Sequence, residues 1–460
     1  MSSSLLIENG TVLTAGKMPA VLADHSVLIE NGYITRIAPK NQLKQFAGKR
    51  IDASYKVVAP GFINAHTHFY STFARGLTKT KPAANFQEVL NHLWWRLDSA
   101  LTTEDCYYSA LVPLLESIRH GTTTLIDHHA SPRAVRGSLP AIAKAVKQPG
   151  LRACLCYEVS DRDGTRISKE GLEENVSFIR RCQRSSRRQP ALDPNHQLST
   201  INHQPTTAAL FGLHAAFTLK DATLEKAAAL GQELETGFHI HVAEALSYQQ
   251  YSQQKHDLRV VERLNKFGIL GSRSIAAHCV HVNRRELDLL SGTHTAVIHN
   301  PQSNLNNAVG VADVVSMAKH NVLVGLGTDA MTTNMLEELR AAVWAQHLRA
   351  QNPSVGITEV VSALLFNNPK IAERCFGLPL GELREGCPGD VVVIDYDPPT
   401  PLEAGNSFGH MVFGMSQAAV DTTIVGGRVL MENKRLTLDL DEPRINARAR
   451  ELAAKLWKRL

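Results

Sequence analysis

The chain has 460 residues, 43% hydrophobic and 20% charged, which is too long for one ordinary domain and apolar enough to bury a large core, so a disordered chain is excluded. Its net charge of +5 and pI near 8.8 are mild at this size and call for no polyanion, so no nucleic-acid partner is expected. Seven scattered cysteines without a Cys-x-x-Cys pair, no basic apolar leader and no run of 18 apolar residues point to reduced thiols in a cytoplasm, no signal peptide and no membrane partner.

The first 57 residues read as β structure. Residues 5–14, LLIENGTVLT, and 27–36, VLIENGYITR, are near-copies with a central Asn-Gly, the strongest short hairpin signal. Residues 386–398 and 421–432 are again β-rich with Gly turns. Because such hairpins cannot bury both faces alone, residues 1–57 and 386–436 are expected to build one small β-sandwich domain from both chain ends.

Residues 58–385 alternate short apolar runs with helical stretches. The runs are 59–66, 122–129, 151–159, 209–214, 237–242, 274–279, 295–300 and 322–329. Eight such strands are the count of a closed (β/α)8 barrel of the TIM type, so the fold class expected is α/β. The polar stretch at about 180–207 reads as an insertion or surface loop. Residues 437–460 end in an amphipathic helix, with Pro443 in its first turn and Ile445, Leu452, Leu456 and Leu460 near one face; packing on the barrel is the reading taken for it.

A barrel carries its functional side chains at the C-terminal strand ends. Six of the eight runs finish on His or Asp: His66/His68, Asp127/His128/His129, His214, His239/His241, His278 and Asp329. A bare His-x-His means little, since 20 histidines in this chain would give roughly one by chance; the clustering at strand ends is what raises it. His66 and His68 lie two apart and so face one side of a strand. With His241 as a third imidazole and Asp329 as a carboxylate, the set suits zinc, tolerates iron, and leaves a position for water. Such an ion lowers the pKa of its water from about 15.7 toward about 7. Glu244, three residues after His241, is placed to shuttle a proton. His239 and the alternating Cys154 and Cys156 read as packing, Arg162 as a surface ion pair, and Trp94 and Trp95 as a wall of the substrate site or a loop packed on the barrel mouth.

The segments PGFINAHTH, FGLHAAFT, HVAE, AHCVH, HNPQSN and GLGTDA, in this order, resemble the amidohydrolase superfamily, in the branch of triazine hydrolases and cytosine, guanine and adenosine-type deaminases. LWWRLDSALT, GTTTLIDHHASP and CYEVSDRDG are most similar to the SsnA aminohydrolase family. The resemblance implies His66, His68, His241 and Asp329 as metal ligands, Asp329 also as the base for the attacking water, Glu244 as the proton donor to a ring nitrogen, and His278 as a stabiliser of developing charge. It implies His214 and Asn304 as substrate-binding residues. His214 stands where a bridging lysine would be, so one divalent metal per chain is expected. Residues 215–218, AAFT, and 305–310, LNNAVG, depart from the family's usual APYT and its lysine-containing continuation. The implied reaction is hydrolytic deamination of a small aminated N-heterocycle, purine-, pteridine-, pyrimidine- or triazine-like, with release of ammonia. The alternatives are ring opening of a cyclic amide at the same site, and a catalytically silent scaffold, against which the complete ligand set argues. A homo-oligomer, a dimer first, is expected.

Overall fold

The structure is a computed structural model describing residues 4–16, 20–78, 80–187 and 204–460. The chain opens with β1 (Ser4–Leu13), β2 (Val21–Glu30), β3 (Tyr33–Pro39), β4 (Lys49–Asp52) and β5 (Val57–Pro60). It continues through β6 (Phe62–Thr67), β7 (Thr122–His129), β8 (Arg152–Tyr157), β9 (Thr207–Ala209), β10 (Phe211–Ala215), β11 (Phe238–Val242), β12 (Ile275–His278), β13 (Ala296–His299) and β14 (Val324–Leu326). The last strands are β15 (Val391–Ile394), β16 (Val420–Val425), β17 (Arg428–Glu432) and β18 (Arg435–Leu436).

Both chain ends enter one nine-stranded sheet of order β18-β17-β16-β15-β5-β1-β2-β3, with β4 also on β1. The two Asn-Gly pairs behave differently. Asn31-Gly32 turns β2 into β3, both residues at positive φ, as a two-residue hairpin requires. Asn9-Gly10 makes no hairpin: it is a bulge inside β1, with Asn9 at φ 65. The reason is a change of partner. Before the bulge β1 pairs in parallel with β4, and after it with β5. A side chain at Gly10 would press on Val58 at 2.6 Å, so only glycine lets β5 approach. The chain leaves this sheet at Gly61, after β5, rather than at Val57.

The barrel strands form two parallel sheets, β6-β7-β8-β9 and β10-β11-β12-β13-β14. Two bridges join them, Thr67 to Asp329 and Val159 to Leu213, and close the cylinder. Each seam needs a glycine. A Cβ at Gly212 would strike the Tyr157 carbonyl, and one at Gly327 would lie 2.8 Å from the His66 nitrogen. The fourth barrel strand is split into β9 and β10 at Leu210. Lower on the strands Ile126, Cys154, Cys156, Ile275, Ala296 and Ile298 share one apolar cluster, and polar side chains take over toward the C-terminal ends.

The helix Thr165–Arg187 occupies the first part of the expected insertion; the rest of it, 188–203, lies outside the described residues. The final helix, Glu442–Trp457, is capped by Asp441 and buries Leu452 and Leu456. It packs on the helix Thr103–Arg119, and Trp457 Nε1 donates to the Phe73 carbonyl at 2.7 Å. Among the described residues no helix is long and apolar enough to cross a membrane.

One buried ion pair ties barrel to sheet. Arg152 on β8 donates to Asp390, just before β15, and both are almost fully buried. The other Asp390 oxygen accepts from the Gly426 amide at 2.7 Å. Removing one partner strands a buried charge. Asp390→Ala should therefore cost about 3–5 kcal/mol in denaturant unfolding, whereas Arg152→Met combined with Asp390→Leu should recover most of that loss.

Candidate active site

The site stands at the C-terminal mouth of the barrel, and each strand delivers its side chain by the period of two. β6 brings His66 and, just past its end, His68. β7 brings Asp127, His128 and His129, and Glu158 follows β8 on the face of Cys154 and Cys156. β10 carries His214 one residue before its end, β11 carries His239 and His241, and β12 ends at His278. Glu244 follows a turn at Ala243 (φ 45), and Asp329 follows β14. His278 (φ 74) and Asp329 (φ 53) are themselves left-handed, a conformation that costs free energy and concentrates at functional positions.

The rings are held from behind. His68 Nδ1 lies 2.5 Å from the His128 carbonyl, and His241 Nδ1 lies 2.8 Å from the His214 carbonyl. A carbonyl only accepts, so both Nδ1 atoms carry a proton, and Nε2 is the atom each ring turns to the centre, a lone pair whenever that ring is neutral. Those two Nε2 atoms face each other at 3.2 Å. His66 Nδ1 is 2.8 Å from His239 Nε2, and its own Nε2 is buried without a hydrogen-bond partner. Asp329 Oδ1 lies 3.0 Å from His68 Nε2 and 3.4 Å from His66 Nε2. Its Oδ2 accepts from Ser303 Oγ.

Lone pairs and a carboxylate that converge repel one another unless a cation sits among them: a proton on His68 Nε2 in the metal-free protein, or a metal ion in its place. Donors about 2.0–2.1 Å from a tetrahedral ion stand about 3.3 Å apart, and these edges have that size. Two overlapping groups, His66/His68/His128/His241 and His66/His241/His278/Asp329, keep their ligand atoms within 4.8 Å of one another. His128 and His278 are turned to other tasks. His128 Nε2 donates to the His239 carbonyl at 3.0 Å, and its Nδ1 faces Glu158. His278 Nδ1 accepts from Asn304 Nδ2 at 2.8 Å, so its Nε2 carries a proton and cannot coordinate.

Burial sets the charges. Burial opposes a positive His68, yet the Asp329 carboxylate beside it, with Glu158 and Asp127 near, raises it to about 9. Burial would likewise raise Asp329, but the His66 and His68 rings hold it well below the carboxylate range. Glu244 goes the other way: burial and then the Asp329 charge push it well above that range. It lies 3.7 Å from His278 Nε2 and accepts from Asn307 Nδ2 at 3.4 Å. Burial lowers His278 to about 3 and raises Glu158 to about 8.

A cavity opens on this cluster, lined by His68, His241, Glu244, His278 and Asp329 on the metal side and by Tyr70, Trp94, Trp95, Glu158, Arg162 and His214 on the other. Trp94 and Trp95 thus wall it. Arg162 is no surface residue: it lies over Trp95 at 5.1 Å and pairs with Asp98 and Asp163. His68, His241, Asp329, Glu244, His278 and His214 meet in this space, and His66, which does not line it, shares their donor cluster. Asn304 does not line it; fully buried, it reaches the site through His278. His239, read as packing, holds His66 instead. Its place two residues before His241 was the available signal. Glu158 was also missed, although Cys154, Cys156 and Glu158 mark one face of β8.

Comparison with known proteins identifies the family. The model of the Amidohydrolase family matches residues 57–430. The chain is 32% identical over 98% of its length to the 5-methylthioadenosine/S-adenosylhomocysteine deaminase of Carboxydothermus hydrogenoformans, of which 98% is covered. It is 31% identical over 94% of its length to the 5'-deoxyadenosine deaminase of Methanobrevibacter smithii, covering 93% of that protein. An adenosine deaminase from Xanthomonas campestris with bound zinc has the same fold, with a TM-score of 0.82 at 22% identity and 98% of each chain covered. The chain belongs to the amidohydrolase family and is a hydrolase of carbon–nitrogen bonds other than peptide bonds.

Proposed function

We propose that the protein is an aminohydrolase that holds one divalent metal, zinc first, through His66, His68, His241 and Asp329 and deaminates an aminated N-heterocycle. The observation that carries the reading is the convergence of imidazole lone pairs on Asp329, with the protonated Glu244 beside them. The two curated relatives act, by name, on 6-aminopurine nucleosides, so a nucleoside of this class is the first substrate to test.

The metal, when bound, supplies a Lewis acid that makes water nucleophilic at neutral pH. The chain's own groups do the rest. Asp329 takes a proton from the attacking water. His278, whose Nδ1 is filled by Asn304, offers its Nε2–H to orient that water and to hold the negative charge that develops. Glu244, kept protonated by burial, donates to the ring nitrogen beside the attacked carbon and then relays a proton to the departing amine. Trp94, Trp95 and Tyr70 cover the ring and exclude bulk water.

The roles separate by mutation when metal content and ammonia release are measured on the same preparations. Glu244→Gln should keep near-full metal and lose turnover by ~10²–10⁴-fold. His241→Ala should be metal-poor and inactive, and Asp329→Asn should lose both. Metal loss in Glu244→Gln with unchanged activity per metal would make Glu244 a ligand instead.

Metal uptake should also depend on pH. In the metal-free protein His68, at about 9, carries a proton that must leave before Nε2 can bind. Affinity should therefore rise with pH, by about tenfold per unit for this proton, and level off above about 9. Calorimetric titration in buffers of different ionisation enthalpy should count about one proton released per metal near pH 7.5.

A further inference from the structure

The cavity that Glu244 lines also holds two acceptors to which no donor is assigned among the described residues. Glu158 is 6% exposed, and its Oε1 has no hydrogen-bond partner. The nearby groups are committed elsewhere. His68 Nδ1, at 3.3 Å, gives its proton to the His128 carbonyl. His128 Nδ1, also at 3.3 Å, is a lone pair because Nε2 carries that ring's proton. Arg162 spends Nη2 on Asp98 and Nε on Asp163.

The second acceptor is His214. The Thr218 hydroxyl donates to the Ala215 carbonyl at 3.0 Å, so at 2.8 Å it accepts from His214 Nδ1. His214 Nε2 is then a lone pair, and it stands 3.9 Å from Glu158 Oε2. Were Glu158 to carry a proton on Oε1, toward His128, Oε2 would still accept. A proton on Oε2 instead would find His214 Nε2 only at 3.9 Å, beyond hydrogen-bond reach, so with Glu158 ionised or protonated on Oε1 the pair is acceptor–acceptor.

The purine ring of adenosine cannot satisfy such a pair, because apart from the amine that leaves it offers only acceptor nitrogens. We propose that Glu158, acting with His214, determines specificity by accepting hydrogen bonds from a pair of donor hydrogens on the substrate other than those of the leaving amine. Two sources have this chemistry: a second amino group on the ring, whose two hydrogens reach both acceptors, and the vicinal hydroxyls of a ribose. The inference rests on the deaminase reading of the same cavity and names what else its substrate must carry.

Two matched pairs distinguish the sources in the zinc-loaded enzyme: 2,6-diaminopurine against adenine, and adenosine against 2'-deoxyadenosine. A buried acceptor left unpaired costs heavily in selection. The wild type should therefore prefer the donor-bearing member of one pair by ~10²-fold or more in kcat/KM. Glu158→Gln turns one acceptor toward donation and should shrink that preference to within about threefold with zinc content unchanged. Glu158→Asp withdraws the acceptor and gives the same reading if the first variant fails to fold. Preference that survives both variants, no preference in the wild type for either pair, or zinc loss in the variants would overturn the proposal; zinc loss would mean that Glu158 serves His68 rather than substrate. Calorimetric binding of the product-like pairs hypoxanthine against guanine and inosine against 2'-deoxyinosine is read alongside. Discrimination there without ammonia release from any substrate removes the deaminase reading and leaves the Glu158 assignment standing.

Discussion

The site depends on where the protons of three imidazoles are pinned. A histidine on a strand end has two tautomers and rotates freely in the absence of a partner. Here each ring that faces the centre is backed by a neighbour: His68 by the His128 carbonyl, His241 by the His214 carbonyl, His66 by His239. The backing atoms come from adjacent or facing strands of the barrel, so strand packing itself pins the Nδ1 protons of His68 and His241 and orients the His66 ring. Backing of this kind orients a metal-binding histidine and raises its basicity. The same closure brings Asp329 against His68, because β14 meets β6 at the Thr67–Asp329 bridge.

Two carboxyls in this small space are held in different protonation states, one ionised and one neutral. Asp329 is ionised because imidazoles surround it; Glu244 keeps its proton because burial and the Asp329 charge act together. Environments that drive two acids apart in this way are how a site holds a base and an acid at one pH. His278 is the neutral link between them, with its tautomer set by Asn304. Asn304 therefore sets that tautomer without lining the cavity.

The small sheet bears on the site through its connections. β5 runs into β6 across Gly61, so the strand that ends on His66 and His68 begins in the sheet made by both chain ends. The Arg152–Asp390 pair makes a second tie, between β8, which leads to Glu158, and the strand region of the C-terminal part. Displacement of the sheet would thus be felt at two walls of the cavity.

The sequence by itself determined the barrel strands, their order and the residue types at their ends, because hydrophobic period and strand-end position are local properties. It also determined that His66 and His68 share a face, since alternation along a strand needs no partner. It did not determine that Asn9-Gly10 is a bulge and Asn31-Gly32 a turn. The two segments are near-copies, and the choice follows from β1 having to pair with both β4 and β5. Nor did it determine that Asn304 serves His278, that His239 backs His66, or that Glu158 Oε1 is left without a hydrogen-bond donor among the described residues. Those are facts about neighbours across the barrel, far apart in the chain, and hydrogen-bond assignments exist only once closure has set which atoms face each other.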